Sequence, residues 1–300
     1  MSKAQKIWLI VAISLVAVGS LIFAGSLAAL DFDFTKLGTQ KYETNTYEVS
    51  GDFDKISIDV TTTEIVLKPS DDETCRAECF EQEKLKHSVT VQDGILIIDT
   101  VDTRKWFDHI GMSFGNMKMT VYLPRDEYTS LTIDTVTGDV EIAKEFAFQN
   151  IKVSGSTADV ICCASASNII EIDTDTGDIN VDTLIAGEMM LSTATGKIGL
   201  TDVNCTSLAA ESNTGNISLK NVIAADIFSI ENDTGDVRFE NSDAASISVR
   251  TSTGDVTGTL LSEKIFITKT STGDVSVPKT ITGGRCEITT DTGNIEIDIQ

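Results

Sequence analysis

The residues of this sequence best suited to chemistry are aspartates that recur along the chain every 19 or 20 residues. Each one lies in a short Thr-Gly-Asp-Val motif or a close variant of it. If the chain stacks once per motif, successive carboxylates lie about 5 Å apart, where like charges repel and Ca²⁺ would relieve the repulsion. The candidate calcium ligands form two runs, Asp139, Asp159 and Asp178, and Asp236, Asp255 and Asp274.

The same aspartates also have a structural interpretation. Asp in a tight turn accepts backbone N–H groups, and salt and water screen the repulsion between exposed carboxylates. Lys197, Asn216 and Asn294 interrupt the column at the equivalent position, which argues against a continuous calcium site. Both interpretations stay open at this point, and we expect no other cofactor.

Composition restricts the remaining chemistry. The 300 residues carry 23 basic and 46 acidic side chains, a net charge of −23 that disfavours nucleic acid as a partner. The two histidines, His87 and His109, are too few for sites that need several. Polysaccharide-cleaving β-helices cluster acids with a basic residue on one face, whereas the basic residues here are scattered. We therefore predict a protein that is not an enzyme, with a carbohydrate-active β-helix enzyme as the alternative.

The six cysteines contain no CxxC pair, which disfavours a zinc site. Cys162 and Cys286 occupy positions expected to face inward, where cysteine packs as a small apolar residue. Cys75 and Cys79 could form a disulfide only if the chain bends between them. We expect mostly free thiols.

Nine copies of one repeat position these residues. When the copies are aligned on the glycine position, the residue before it is always Thr and the residue two after it is always Val or Ile. Apolar residues also recur five and seven positions before the glycine with polar residues between them, as in strands with one buried face. A period near 20 residues predicts a solenoid. The predicted fold is all-β, a parallel β-solenoid of 19–20-residue rungs that is right-handed by the crossover rule.

We call the Thr-Gly-Asp-Val motif of each rung its corner. Glycine tolerates the positive φ that a sharp corner needs, so Ala158, the one departure, should have strain or a different turn. The threonines are expected to form a column of hydroxyls that exchange hydrogen bonds along the solenoid axis. The predicted corner residues include Thr137, Gly138, Thr176, Gly177, Gly196, Gly215, Gly235, Gly254, Gly273 and Gly293.

The N-terminus has the features of a membrane anchor. Residues 1–6 carry two lysines, and residues 7–30 form an uncharged stretch. As a helix this stretch would extend roughly 36 Å, enough to cross a hydrocarbon layer of ~30 Å. Positive charge before the stretch predicts a cell-membrane protein with a cytoplasmic N-terminus and the other 270 residues outside. The alternative is a cleaved signal peptide, because Ser26-Leu27-Ala28 has the small-x-small pattern of a cleavage site.

The rest of the chain divides into three segments. Residues 31–48 are expected to be a polar connector, 49–128 an N-terminal cap with degenerate first rungs, and 129–300 the regular solenoid. An apolar cluster at 106–114 would either cover the first rung or dock a partner or the outer lipid surface. The final repeat, 286–300, has alternating apolar and acidic residues and is expected to expose an open strand edge. That edge would be either a site for a partner or a second copy, or a frayed, charge-protected terminus.

The combination of these features resembles a known family. A membrane span precedes a hairpin of the form dG-x-L-x-I at Asp93, a strand ending at Leu123-Pro124, and stacked I-x-I-x-T-x-TGDV-x-V units. The arrangement resembles the putative-adhesin family of bacterial envelope proteins, which includes LiaG-like proteins, and is similar to the head domains called GIN. The resemblance implies a β-solenoid ectodomain without catalytic residues that takes part in adhesion, binds an envelope polysaccharide or protein, or assists an envelope-stress sensor.

Overall fold

In the computed structural model, which describes residues 3–29, 40–106 and 115–300, one helix precedes a large β-structure. Helix α1 covers Lys3–Ala29. Its segment Gln5–Ser26 is long and apolar enough to cross a membrane, and none of it is buried against the rest of the chain. The segment matches the uncharged stretch that the sequence predicts as a span, although signal sequences have the same properties.

The strands follow α1 in chain order. The first eleven are β1 Tyr42–Glu48, β2 Lys55–Val60, β3 Thr63–Pro69, β4 Arg76–Gln82, β5 Leu85–Gln92, β6 Ile95–Asp102, β7 Met117–Leu123, β8 Glu127–Thr137, β9 Val140–Ile142, β10 Ala147–Thr157 and β11 Val160–Cys162. The others are β12 Ser165–Thr176, β13 Ile179–Thr195, β14 Ile198–Thr214, β15 Ile217–Lys220, β16 Ile223–Thr234, β17 Val237–Thr253, β18 Val256–Leu260, β19 Lys264–Thr272, β20 Val275–Ser276, β21 Gly284–Thr292 and β22 Ile295–Ile299.

The strands stack in parallel, one repeat on the next, which confirms the predicted solenoid. Residues seven before each corner glycine pair in series, for example Ile170 with Met189, Met189 with Leu208, and Leu208 with Phe228. These side chains are at most 1% exposed, so they form a continuous apolar column. A single rung leaves this column open on both sides, and only stacking removes it from water.

The N-terminal end of the stack is closed by antiparallel strands. The rung of β2 and β3 pairs directly with the rung of β8 and β9, and the rung of β6 and β7 lies on its other side. Strand β5 then pairs antiparallel with β6, β4 pairs antiparallel with β7, and β1 pairs antiparallel with β4. Strand β1 lies inside the segment 31–48, so the expected connector is shorter than predicted.

The C-terminal end has a different strand order from the one the repeats suggest. Strand β21 pairs with β17 on one side and β19 on the other, and β22 likewise lies between β18 and β20. The expectation of an open edge at 286–300, and of self-association through that rung, is therefore wrong. The rung of β19 and β20 is outermost, and no strand among the described residues covers its free edge.

Candidate functional site

The corners bring the backbones of neighbouring rungs into close contact. Gly254 has φ +156°, and a Cβ atom there would lie 2.0 Å from the carbonyl oxygen of Gly235 in the adjacent rung. Neither Ala158 nor Gly196 has a φ in the left-handed region, so two of the nine corners differ in backbone from the other seven. The Ala158 methyl group is buried and points toward Gly155, where other rungs carry a hydroxyl or amide side chain.

The corner aspartates accept backbone N–H groups from the next rung. Oδ1 of Asp139 accepts from Asp159 N at 3.1 Å, Oδ1 of Asp159 accepts from Asp178 N at 2.7 Å, and Oδ1 of Asp178 accepts from Lys197 N at 2.7 Å. Oδ1 of Asp236 accepts from Asp255 N at 3.0 Å in the same way. These four hydrogen bonds use one oxygen of each carboxylate, which agrees with the structural interpretation of the corner aspartates.

The altered strand order also separates two of the calcium candidates. Oδ1 of Asp255 accepts from Asn294 N at 2.7 Å, and Oδ1 of Asn294 accepts from Asp274 N at 2.9 Å. Asn294 therefore lies between Asp255 and Asp274, which the sequence places in adjacent rungs. Calcium binding at the corners stays a prediction, now for Asp139, Asp159 and Asp178 and for the pair of Asp236 and Asp255.

The column of polar side chains that bond along the solenoid axis lies two residues before the corner threonines that were predicted to form it. The corner threonines are exposed, and their backbone carbonyls accept the glycine N–H of the neighbouring rung, as Thr157 O does from Gly138 N at 3.2 Å. The buried polar column is three residues before the glycine. Thr193 Oγ1 donates to Gly177 O at 3.1 Å, and Asn232 Nδ2 donates to Gly215 O at 2.9 Å. These bonds give partly buried corner carbonyls a hydrogen-bond partner.

A second corner follows six residues after the glycine. Thr183, Asp202, Asn221 and Asn241 have φ between 50° and 54°, in the left-handed region. Asn221 Nδ2 donates to Asp202 Oδ1 at 2.7 Å, so this corner also has a ladder of side chains. The sequence signal is Asp or Asn at the same offset in three consecutive repeats, because these residues tolerate left-handed backbone.

The cap contains a hydroxyl, an imidazole and a carboxylate in the order of a catalytic triad. Thr63 Oγ1 lies 3.0 Å from His87 Nε2, and His87 Nδ1 lies 2.6 Å from Glu81 Oε2. Tyr47 and Asn45 donate to the other Glu81 oxygen at 2.6 and 2.7 Å. Thr63 and Glu81 are 0% exposed and His87 is 3% exposed, so a substrate has no route to the hydroxyl.

The same network includes the one group of metal-ligating residues that the described part of the chain brings together. Cys79, Glu81 and His87 have potential ligand atoms within 4.8 Å of one another, and all three are buried. Burial raises the pKa of Cys79 to about 12, which keeps the thiol protonated. Burial also raises the pKa of Glu81, but the hydrogen bonds from Tyr47, Asn45 and His87 outweigh it and lower the net value. The carboxylate would lose these bonds by ligating a metal.

The six cysteines are free thiols, as the sequence predicts. Burial raises the pKa of Cys162 and Cys286 to about 12, and both pack in the core. Cys75 and Cys79 lie four residues apart at β4, about 13 Å along an extended strand and beyond disulfide reach. Five of the six cysteines are buried, and Cys163 is partly exposed.

One sheet of the solenoid carries a shallow trough whose lining includes exposed side chains that could bind a ligand. The trough has a volume of about 370 Å³. Its floor is formed by small or apolar side chains of three adjacent rungs, including Met190, Ala209 and Ser229. Its acidic side chains are Glu171, Asp173, Glu211 and Glu231. We call this surface the acidic trough.

Two basic residues bound the acidic trough. Lys152 Nζ lies 2.9 Å from Glu171 Oε1 at one end. At the other end Arg250 pairs in register with Glu231 across adjacent strands. The sequence suggested no site here, because these residues are ordinary outward positions of separate repeats and only the stacking places them side by side.

The comparisons with known proteins agree on the fold. The crystal structure of a putative adhesin from Parabacteroides distasonis matches 86% of this chain and 98% of its own, at 11% identity and a TM-score of 0.56. A putative adhesin from Parabacteroides merdae matches 87% of this chain and 98% of its own, at 12% identity and a TM-score of 0.52. At such identities the likeness shows the fold alone.

No curated protein sequence matches the chain. The model of one family matches it over residues 53–226 and 208–300, which include most of the cap and every corner repeat. On this evidence the chain belongs to the Toastrack DUF4097 family.

Proposed function

We propose that the protein is a membrane-anchored, non-catalytic binding module that presents its solenoid outside the cell membrane. The observation that carries this proposal is the distribution of its polar groups. The one triad-like arrangement among the described residues is buried, whereas the acidic trough is open to solvent. The names of the structural relatives, putative adhesins, support a role in binding.

The trough favours an uncharged, hydroxyl-rich polymer such as an envelope polysaccharide. Its carboxylates can accept hydrogen bonds from hydroxyl groups, and the exposed Met190 side chain offers apolar surface. Its charge and the net charge of −23 repel polyanions. Binding therefore depends on hydrogen bonding along several rungs.

The test compares binding and turnover in the same preparation. The full chain in detergent should co-sediment with neutral envelope polysaccharide and release no reducing ends from it. Glu211→Gln together with Glu231→Gln should weaken co-sedimentation. Glu141→Gln, an exposed acid on β9 outside the trough, is the matched control and should not. Release of reducing ends, or equal loss in both variants, would contradict the proposal.

The orientation of the anchor has its own test. Lys3 and Lys6 before the apolar segment support a cytoplasmic N-terminus. Protease added to intact cells should then digest the solenoid and leave a short membrane fragment that contains α1. Recovery of a mature protein that begins near Ala29 would instead show a cleaved signal peptide.

A further inference from the structure

The two ends of the solenoid differ in whether the edges of their outermost strands are paired. Strands β4 and β5 cover the rung at the N-terminal end, so its edges are paired. At the other end β19 pairs only with β21 within the described residues, and its free edge presents backbone N–H and C=O groups in a strand of nine residues. Such an edge pairs readily with another strand.

The apolar core is also open at this end. Val275 occupies the column that is filled by buried Ile295 in the next rung, yet it is 44% exposed. Phe266 packs against the core and is half-buried. On the outward face of β19, Ile265 and Ile267 are 44% and 47% exposed. Within residues 40–106 and 115–300, no layer covers this end of the stack.

The charge of the residues around β19 indicates which partner can cover this end of the solenoid. Residues 264–279 contain three lysines and one aspartate, in a chain whose net charge is −23. Strand β19 itself contains no acid, and its Lys264 is already paired with Asp243 at 2.6 Å. Two copies of this acidic chain that approach by this end avoid the repulsion between carboxylates that most other surfaces would produce.

The sequence of β19 is compatible with antiparallel pairing to itself. In a pair centred on Ile267, Ile267 faces its equivalent and Ile265 faces Lys269 of the second copy. This register keeps inward-facing residues opposite inward-facing ones, so Phe266 faces Thr268 and the two cores become continuous. A register centred on Lys269 would place two lysines opposite each other, which is unfavourable.

We propose that two copies of this chain associate end to end through antiparallel pairing of β19, centred on Ile267. The two-fold symmetry makes the contact self-limiting, because each solenoid has one open end and one capped end. The proposal is independent of ligand binding in the acidic trough, since the trough is formed by other rungs.

Cysteine cross-linking of the full chain in detergent tests the proposal, in a Cys163→Ser background that removes the one native thiol that is not buried. Ile267→Cys should give a covalent dimer on mild oxidation, since residues directly opposite on antiparallel strands lie within disulfide reach. Ile161→Cys is the matched control. Ile161 is also an outward isoleucine at 44% exposure, but it lies on a covered rung, and its variant should stay monomeric.

The register is tested by mixing two variants. Ile265→Cys copies mixed with Lys269→Cys copies should form heterodimers more efficiently than either variant forms homodimers. Association through α1 alone would cross-link the Ile267 and Ile161 variants equally and would overturn the proposal. A monomeric Ile267→Cys protein at every concentration, as expected if another protein covers this edge, would also overturn it.

Discussion

At the scale of the residue, the corner glycines are required by the neighbouring rung as much as by their own backbone. Gly196 does not have a φ in the left-handed region, yet a Cβ there would lie 1.9 Å from Gly177 O. The close approach of stacked corners therefore excludes a side chain even where the turn itself would allow one.

A corner substitution should consequently be costly. We expect Gly254→Ala to lower the free energy of unfolding by about 1–3 kcal/mol or more, as at other strained positions. Gly199→Ala is the matched control, because the nearest atom to its Cβ would be the side-chain Asn180 Oδ1 at 3.1 Å. Urea denaturation followed by circular dichroism measures both. Equal effects would show that the corners do not constrain the stack.

The Ala158 rung offers a test of compensation between two residues. A side chain at Gly155 would meet the Ala158 methyl at 2.9 Å. Gly155→Thr alone should destabilise the protein, whereas Gly155→Thr with Ala158→Gly restores the arrangement of the other rungs. We expect a coupling free energy of about 0.5–3 kcal/mol in a double-mutant cycle of urea unfolding. Additive effects would mean that the two positions are independent.

The buried Glu81 makes a pH-dependent contribution to stability. Its hydrogen bonds hold its pKa below the ordinary value of 4.5, so the carboxylate stabilises the fold above pH 4.5. This contribution should be lost as the pH falls from 4.5 through the lower pKa of the folded state. The difference in unfolding free energy between the native chain and Glu81→Gln should therefore shrink across this range. A constant difference would contradict the assignment.

At the scale of the element, the repeat pattern was sufficient to predict the strands and the corners but not their spatial order. Every rung places an apolar residue at most of the same columns, so each rung fits against any other. Strand β21 has buried Cys286 and Ile288 where β19 has half-buried Phe266 and Thr268. With the β19 rung outermost, the Thr268 hydroxyl is not fully buried in the core, where an unpaired polar group would be costly, and this favours the observed order.

One ion pair holds this order in place. Lys264 lies opposite Gly284 of the intervening strand and reaches past it to Asp243, with Nζ 2.6 Å from Oδ1. Its Cδ lies 3.7 Å from where a Gly284 Cβ would be, so the absent side chain leaves the path open. No local pattern in the sequence links these three residues, because they meet only after the rungs have stacked.

Removal of this pair should affect the outer rung most. The Lys264 side chain is 3% exposed, and Lys264→Ala leaves Asp243 without its partner, which typically costs about 3–5 kcal/mol for a buried pair. Lys220→Ala is the matched control, since its pair with Glu240 is exposed to solvent and contributes little to stability. Hydrogen exchange should show faster opening of β19 in the first variant only. Equal exchange in both would contradict a role in strand order.

The buried polar residues could not be predicted from the sequence either, because they meet their partners only after the rungs have stacked. Ser242 resembles a neutral loop serine, but it is fully buried, and its hydroxyl donates to Leu219 O at 3.1 Å and accepts from Val222 N at 3.0 Å. The Thr63, Glu81 and His87 network likewise joins β3, which belongs to a degenerate rung, to β4 and β5, which carry no repeat. Periodicity predicts the residues that recur, and these do not.

At the scale of the whole molecule, the acidic charge is stacked along one axis. Exposed corner carboxylates about 5 Å apart repel each other, and their hydrogen bonds to backbone N–H groups offset only part of this repulsion. Salt shortens the range of the repulsion, to ~8 Å at physiological ionic strength. The stability of the solenoid should therefore rise with moderate salt.

The same measurement separates screening from calcium binding. We expect NaCl to raise the urea midpoint of unfolding, and CaCl2 at equal ionic strength to raise it by a similar amount if the corner aspartates act only as turn residues. A calcium site would add a further increase that saturates with concentration, because a ligand that binds only the folded state stabilises it by mass action. Asp159→Asn should abolish that increase, since Asp159 lies between Asp139 and Asp178 in the longest run of corner acids. A midpoint that falls with NaCl would show that the stacked acids do not limit stability.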